Sequence, residues 1–122
     1  MIINVTARLI VTGYHAWPNA PPHRSYLASR HRHDFYITVR VSVLQEDRQI
    51  EIHDLADRTR HAVDVVWGYE EDRTVEFGAA SCETIARKIF DTLVHITPGL
   101  SDTDLLMVGV LEDNWMGAEV HS

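Results

Sequence analysis

The chain has 122 residues, 45% hydrophobic and 24% charged, which is enough for one compact domain with a packed core and too few for two. Eleven basic residues against 18 acidic ones give a formal net charge of -7, and the arginines form no basic run, so neither a polyphosphate groove nor a nucleic-acid partner is expected. No apolar run nears the ~20 residues that span a bilayer, Met1 to Arg8 lacks a signal-peptide core, and Cys82 has no second cysteine to pair with; the expectation is a soluble cytoplasmic protein with no membrane partner.

From Ile3 to Val11 the odd positions Ile3, Val5, Ala7, Leu9 and Val11 are apolar opposite Asn4, Thr6, Arg8 and Thr12, the period of two of a half-buried strand. The proline-rich stretch Trp17–Pro22 cannot continue it and reads as a long loop. Phe35, Ile37, Val39, Val41 and Val43 against Tyr36, Thr38, Arg40 and Ser42 predict a second strand. After the polar turn Gln45–Arg48, Leu55, Thr59, Ala62, Val63 and Val66 recur at helical spacing, with Asp54 placed to cap or charge the helix start. Ser81 is a natural N-cap for a second helix whose stripe is Ile85, Ala86, Ile89, Phe90 and Leu93, stopped by Thr97-Pro98-Gly99. Leu105–Leu111 returns to strand, and Asp113-Asn114 turns into a last short strand through Val120. The order ββααββ predicts one α+β domain over residues 1–122. Two helices cover only one face of such a sheet, so its other face and its edges call for neighbouring subunits and a homo-oligomer is expected.

Eight histidines are present, and position separates three of them from the rest. His31 and His33 lie two apart just before a strand, so strand geometry extended backward points both imidazoles to one face. His15 closes the preceding strand and reaches the pair from the neighbouring one. Three neutral imidazoles with an open fourth position suit a catalytic zinc ion. The spacing alone equally fits a solvated strand end among Arg30, Arg32 and Asp34. For His23, His53, His61, His95 and His121 an exposed or capping role is expected.

Five segments in order resemble one family. Gly13-Tyr14-His15 with Ala16-Trp17-Pro18 resembles the first zinc-ligand segment of the 6-pyruvoyltetrahydropterin and 6-carboxytetrahydropterin synthases. His31-Arg32-His33-Asp34-Phe35 resembles their His-Gly-His-Asn segment. Ile50-Glu51-Ile52-His53-Asp54-Leu55 resembles the stretch that opens the first helix, Ser81-Cys82-Glu83 the Thr-Ser-Glu that opens the second, and Val110-Leu111-Glu112 the Val-x-Glu near the end. The resemblance implies a tunnelling fold (T-fold), with an antiparallel sheet, two helices on one face, and trimers or hexamers closing the sheets into a barrel. It further implies a zinc-dependent lyase acting on 7,8-dihydroneopterin triphosphate or a related pterin, with His15, His31 and His33 as metal ligands. Glu112 would anchor the pterin by accepting two parallel hydrogen bonds, and Ser81 and Cys82 would contact the same ring. Biopterin and queuosine synthesis both use such enzymes, and the resemblance leaves the pathway open.

Two family features are missing. Ser25–Arg30, ahead of the His-x-His, holds no cysteine, and Trp67-Gly68 stands where an Asp-His pair belongs. Both departures strike proton transfer and neither strikes metal or ring binding. Three readings follow: related lyase chemistry using Cys82, whose thiolate a helix N-terminus would favour, or His23 or Ser29; a different pterin or purine substrate; or a non-catalytic zinc- and pterin-binding protein. From another class, the domain would be a structural oligomer subunit with an incidental histidine cluster.

Overall fold

In a computed structural model of residues 1–122, β1 (Ile3–His15) and β2 (His31–Val43) form a long antiparallel pair, in register from Ile3 opposite Val43 to His15 opposite His31. Both strands run further toward the histidines than side-chain alternation sets them. Each completes the other's backbone ladder there, so Thr12, Tyr14, Arg32 and Asp34 keep strand geometry without an apolar pattern of their own.

β4 (Leu105–Glu112) pairs antiparallel with β2, and β5 (Met116–His121) with β4. The expectation of four antiparallel strands is corrected by a fifth: β3 (Val75–Gly78) lies parallel to the end of β1, giving the order β3-β1-β2-β4-β5. Four residues are too few for alternation to declare a strand, but Val75 and Phe77 are buried and pin it in place.

The helices α1 (Ile52–Trp67) and α2 (Cys82–Ile96) pack on one face of this sheet. On α1, Leu55, Thr59, Ala62 and Val63 are buried, and the Thr59 hydroxyl donates to the Leu55 carbonyl at 2.8 Å, which satisfies it in the core. At the start of α1, Asp54 takes the second of its two expected roles. Glu51 is the N-cap, accepting from the Asp54 backbone N–H at 2.8 Å, while Asp54 sits in the first turn and complements the helix dipole. Ser81 caps α2 as expected, accepting from the Thr84 N–H at 3.2 Å.

Phe35, Ile37, Val39 and Val41 of β2 are fully buried against Leu55, Val63, Ile85, Ile89 and Leu93. Each such side chain contributes roughly 1.5–3 kcal/mol, and a one-residue slip would turn all four outward, so burial fixes the register. The opposite face carries Arg8, Ile10, Tyr36 and Arg40, and Ile10 is 50% exposed there. No helix is long and apolar enough to cross a membrane.

Candidate metal centre

The buried face of the β1–β2 pair continues beyond the helices. Along it β1 presents Val11, Gly13 and His15, and β2 presents Phe35, His33 and His31, each opposite the other in that order. The three imidazoles therefore converge, with ring centroids 4.6 Å (His15–His31), 5.3 Å (His15–His33) and 5.0 Å (His31–His33) apart. Phe35 floors the cluster, its ring meeting His15 at 5.2 Å and His33 at 5.7 Å. Gly13 makes room beneath it: a Cβ there would lie 2.7 Å from the Phe77 ring and 2.7 Å from the Val75 carbonyl oxygen.

Every Nδ1 in the cluster faces an acceptor. That of His15 meets the Ala80 carbonyl at 3.0 Å, that of His31 the Ser29 carbonyl at 2.9 Å, and that of His33 the Asp113 carboxylate at 2.7 Å. Carbonyls and carboxylates only accept, so each Nδ1 carries the proton and each Nε2 presents a lone pair. One ligand atom from each ring lies within 4.8 Å of the others. The Nε2 atoms of His15 and His33 are buried without a hydrogen-bond partner.

Glu112, at the end of β4, brings its carboxylate oxygens to 3.0 Å from His15 Nε2 and 3.4 Å from His33 Nε2, without hydrogen-bond alignment. Lone pairs facing a carboxylate repel unless a cation stands between them, and a proton or a metal ion serves. Proximity to His15 holds the Glu112 carboxyl below the usual glutamate range, against the upward push of burial and with help from the charge of His33. Burial alone would lower His15, but Glu112 and the Ala80 carbonyl outweigh it and raise the imidazole above its ordinary value. The donor set thus fits a divalent cation: three oriented neutral nitrogens, two of them orphaned, beside a carboxylate kept ionised.

A cleft of about 470 Å³ opens beside this cluster, lined among others by His15, His31, Ser81, Cys82, Glu83 and Glu112. The structure brings five of the six sequence-identified site residues into this lining, and the sixth, His33, adjoins it through Glu112. Cys82 is 6% exposed, and its thiol donates to Glu112 at 3.7 Å. Here the sequence expectation is corrected. Burial first, then the charge of Glu112, its hydrogen bond and the charge of Glu83, push the thiol up to about 12, so the helix N-terminus does not produce a thiolate.

The other candidates fall elsewhere. His23 is exposed on a short 3-10 turn, and Ser29 contributes its carbonyl to His31. Trp67, at the position of the missing Asp-His pair, packs on Phe77 with ring centroids 4.9 Å apart and lies partly buried against the core. His53 pairs with Glu51 and His121 with Glu119 at the surface. Sequence reasoning missed Asp113, which it read only as a turn residue. The signal available was its place directly after Glu112, just past the end of the strand that pairs with the one bearing His33.

The fold is shared with a solved structure of Caenorhabditis elegans 6-pyruvoyl tetrahydropterin synthase, at a TM-score of 0.64 and 13% identity over 100% of this chain and 96% of the other. An uncharacterized protein from Wolinella succinogenes matches equally, at a TM-score of 0.64 and 13% identity over 100% of this chain and 99% of that one. No protein-family model matches the sequence, and no curated protein matches it. The architecture is therefore the α+β tunnelling fold seen in the tetrahydropterin synthase structure.

Proposed function

We propose that this chain is a zinc-dependent lyase acting on 7,8-dihydroneopterin triphosphate or a related pterin, with His15, His31 and His33 holding the ion. The observation that carries this reading is the uniform direction of the three imidazoles: each Nδ1 is tied to an acceptor, so each Nε2 lone pair is available to one cation. A core histidine needs one partner, and three with the same atom left over are better explained by a ligand than by packing.

Zinc in that position would polarise oxygen atoms of the substrate side chain and ease loss of neighbouring protons. The protein's residues do the rest. Glu112 accepts paired hydrogen bonds from the amino and N–H edge of the ring, a task that suits a carboxylate kept ionised. Ser81 and Cys82 contact the ring from the start of α2, Cys82 as a neutral donor to Glu112. Glu83, exposed in the first turn of α2 and lining the cleft, has no side-chain partner and would be the carboxylate that takes a proton from substrate. Trimers or hexamers, as in the family resembled, would cover the open face of the sheet.

The test uses untagged protein. Stoichiometric zinc by elemental analysis, lost when His31 and His33 become Ala, and a product detected by mass after incubation with 7,8-dihydroneopterin triphosphate support the proposal. Absence of bound metal overturns it. Glu112→Gln should keep zinc and weaken pterin binding about 10- to 100-fold, the worth of a hydrogen bond to a charged group. A second reading, a non-catalytic zinc- and pterin-binding protein, is favoured by Trp67 packing on Phe77 where the family's proton-transfer pair would stand. Pterin binding without turnover would select it.

A further inference from the structure

The three acceptors behind the histidines are not alike. His15 and His31 each lean on a backbone carbonyl, of Ala80 and Ser29, whereas His33 leans on a carboxylate, Asp113 Oδ2, at 2.7 Å. Asp113 is itself held on three sides. Its Oδ1 accepts the Asp34 N–H at 2.9 Å, its own N–H donates to the Asp34 carbonyl at 2.7 Å, and it opens the tight turn between β4 and β5 with φ 52, followed by Asn114 with φ 59. Both are left-handed conformations, which Asp and Asn tolerate better than most residues. The turn thus fixes a charge behind His33 that cannot swing away without breaking two contacts to β2.

We infer that Asp113 is a positioning residue for metal binding: it locks the His33 tautomer, aims Nε2 at the ion, and makes this imidazole the most strongly donating of the three. An ionised acceptor on Nδ1–H increases electron density at Nε2 beyond what a carbonyl supplies. Because Asp113 directly follows Glu112, whose carboxylate lies 3.4 Å from His33 Nε2, one strand end supplies both the support of the ligand and the carboxylate in front of it. Movement of the β4–β5 turn therefore moves His33 and Glu112 together. This inference rests on the zinc reading and adds to it a residue that holds a ligand without itself touching the ion.

The experiment measures zinc affinity by competition with a chromophoric chelator in the full chain, its Asp113→Ala and its Asp113→Asn variants, with thermal unfolding of each after chelator treatment. Outer-sphere partners of this kind are worth about 10- to 100-fold in metal affinity. Asp113→Ala is expected to lose affinity in that range. Asp113→Asn keeps one acceptor oxygen for the Asp34 N–H and a side chain suited to the turn, but turns an amide N–H toward His33 Nδ1, so it should unfold near the parent temperature yet bind zinc more weakly than the parent, with an altered visible spectrum when Co²⁺ replaces zinc. A purely structural Asp113 would give Asp113→Asn the parent's affinity and Co²⁺ spectrum, and that result overturns the inference while leaving the zinc site standing. If Asp113→Ala fails to fold, Asp113→Asn alone decides. A parent protein that binds no zinc overturns both readings at once.

Discussion

His15 and His31 are direct partners across the β1–β2 ladder, and their rings meet edge to face with centroids 4.6 Å apart. They differ in depth: His15 is 8% exposed, while His31 is only half-buried at the mouth of the cleft. His31→Ala should therefore abolish tight zinc binding, by more than about 100-fold, since a ligand is worth more than an outer-sphere partner, with little change in the stability of chelator-treated protein. His15→Ala should do the same to zinc and also destabilise the fold by about 1–3 kcal/mol, because the Ala80 carbonyl loses its donor. Chelator competition and thermal unfolding separate the two effects. Equal unfolding temperatures for both variants would contradict the difference in burial.

The pairing of His15 with Glu112 sets a pH dependence with opposite signs for proton and metal. Glu112 is depressed below its ordinary 4.5, so its contribution is present above that value and is lost as pH falls through the folded value. His15 is raised above its ordinary 6.5, so its contribution is complete below that value and is lost as pH rises through the folded value. Chelator-treated protein should draw most from the pair between these two ordinary values and lose stability as pH rises further. Zinc competes with the proton for His15 Nε2, so the gain in unfolding temperature on adding zinc should grow over the same rise, from about pH 5.5 to 7.5. Thermal unfolding with and without zinc across that range tests both signs; a gain independent of pH would count against His15 as a ligand.

Cys82 should behave as a buried thiol. With the group pushed up to about 12, native protein should resist iodoacetamide at neutral pH and react on unfolding. Cys82→Ser, which keeps a donor toward Glu112, should leave zinc affinity unchanged and turnover largely intact. The sign of its pH effect also follows: an acid raised in the folded state stabilises fully below the unfolded value, near 8.5, and that stability is lost as pH rises toward 12. The serine variant should show a shallower alkaline loss of stability. Rapid alkylation of folded protein at neutral pH would reverse this assignment.

Gly13 is required by packing, not by backbone conformation. Gly13→Ala places a methyl group 2.7 Å from both the Phe77 ring and the Val75 carbonyl oxygen, and the carbonyl belongs to the β3 backbone. Overpacking of this kind costs about 1–3 kcal/mol. Because Gly13 is the β1 partner of His33 and β3 leads through Ala80 to the support of His15, zinc affinity should fall together with the unfolding temperature. Unfolding at the parent temperature would show that β3 can move aside.

The parts of this protein legible in the chain are those that local periodicity carries. Alternation placed β1 and β2, helical spacing placed α1 and α2, and the separation of two between His31 and His33 put both on one face, because side chains on a strand repeat every second residue. Ser81 announced the start of α2 for the same kind of reason: a cap acts within four residues of itself. What no local pattern carries was decided by the tertiary structure. β3 is strand only because β1 offers it an edge, and the ionisation of Cys82 depends on Glu112 reaching it from another strand. The three histidines themselves were readable as a cluster, but their common direction was not, since the acceptors that fix it include Ala80 and Asp113, far along the chain and brought back only by folding.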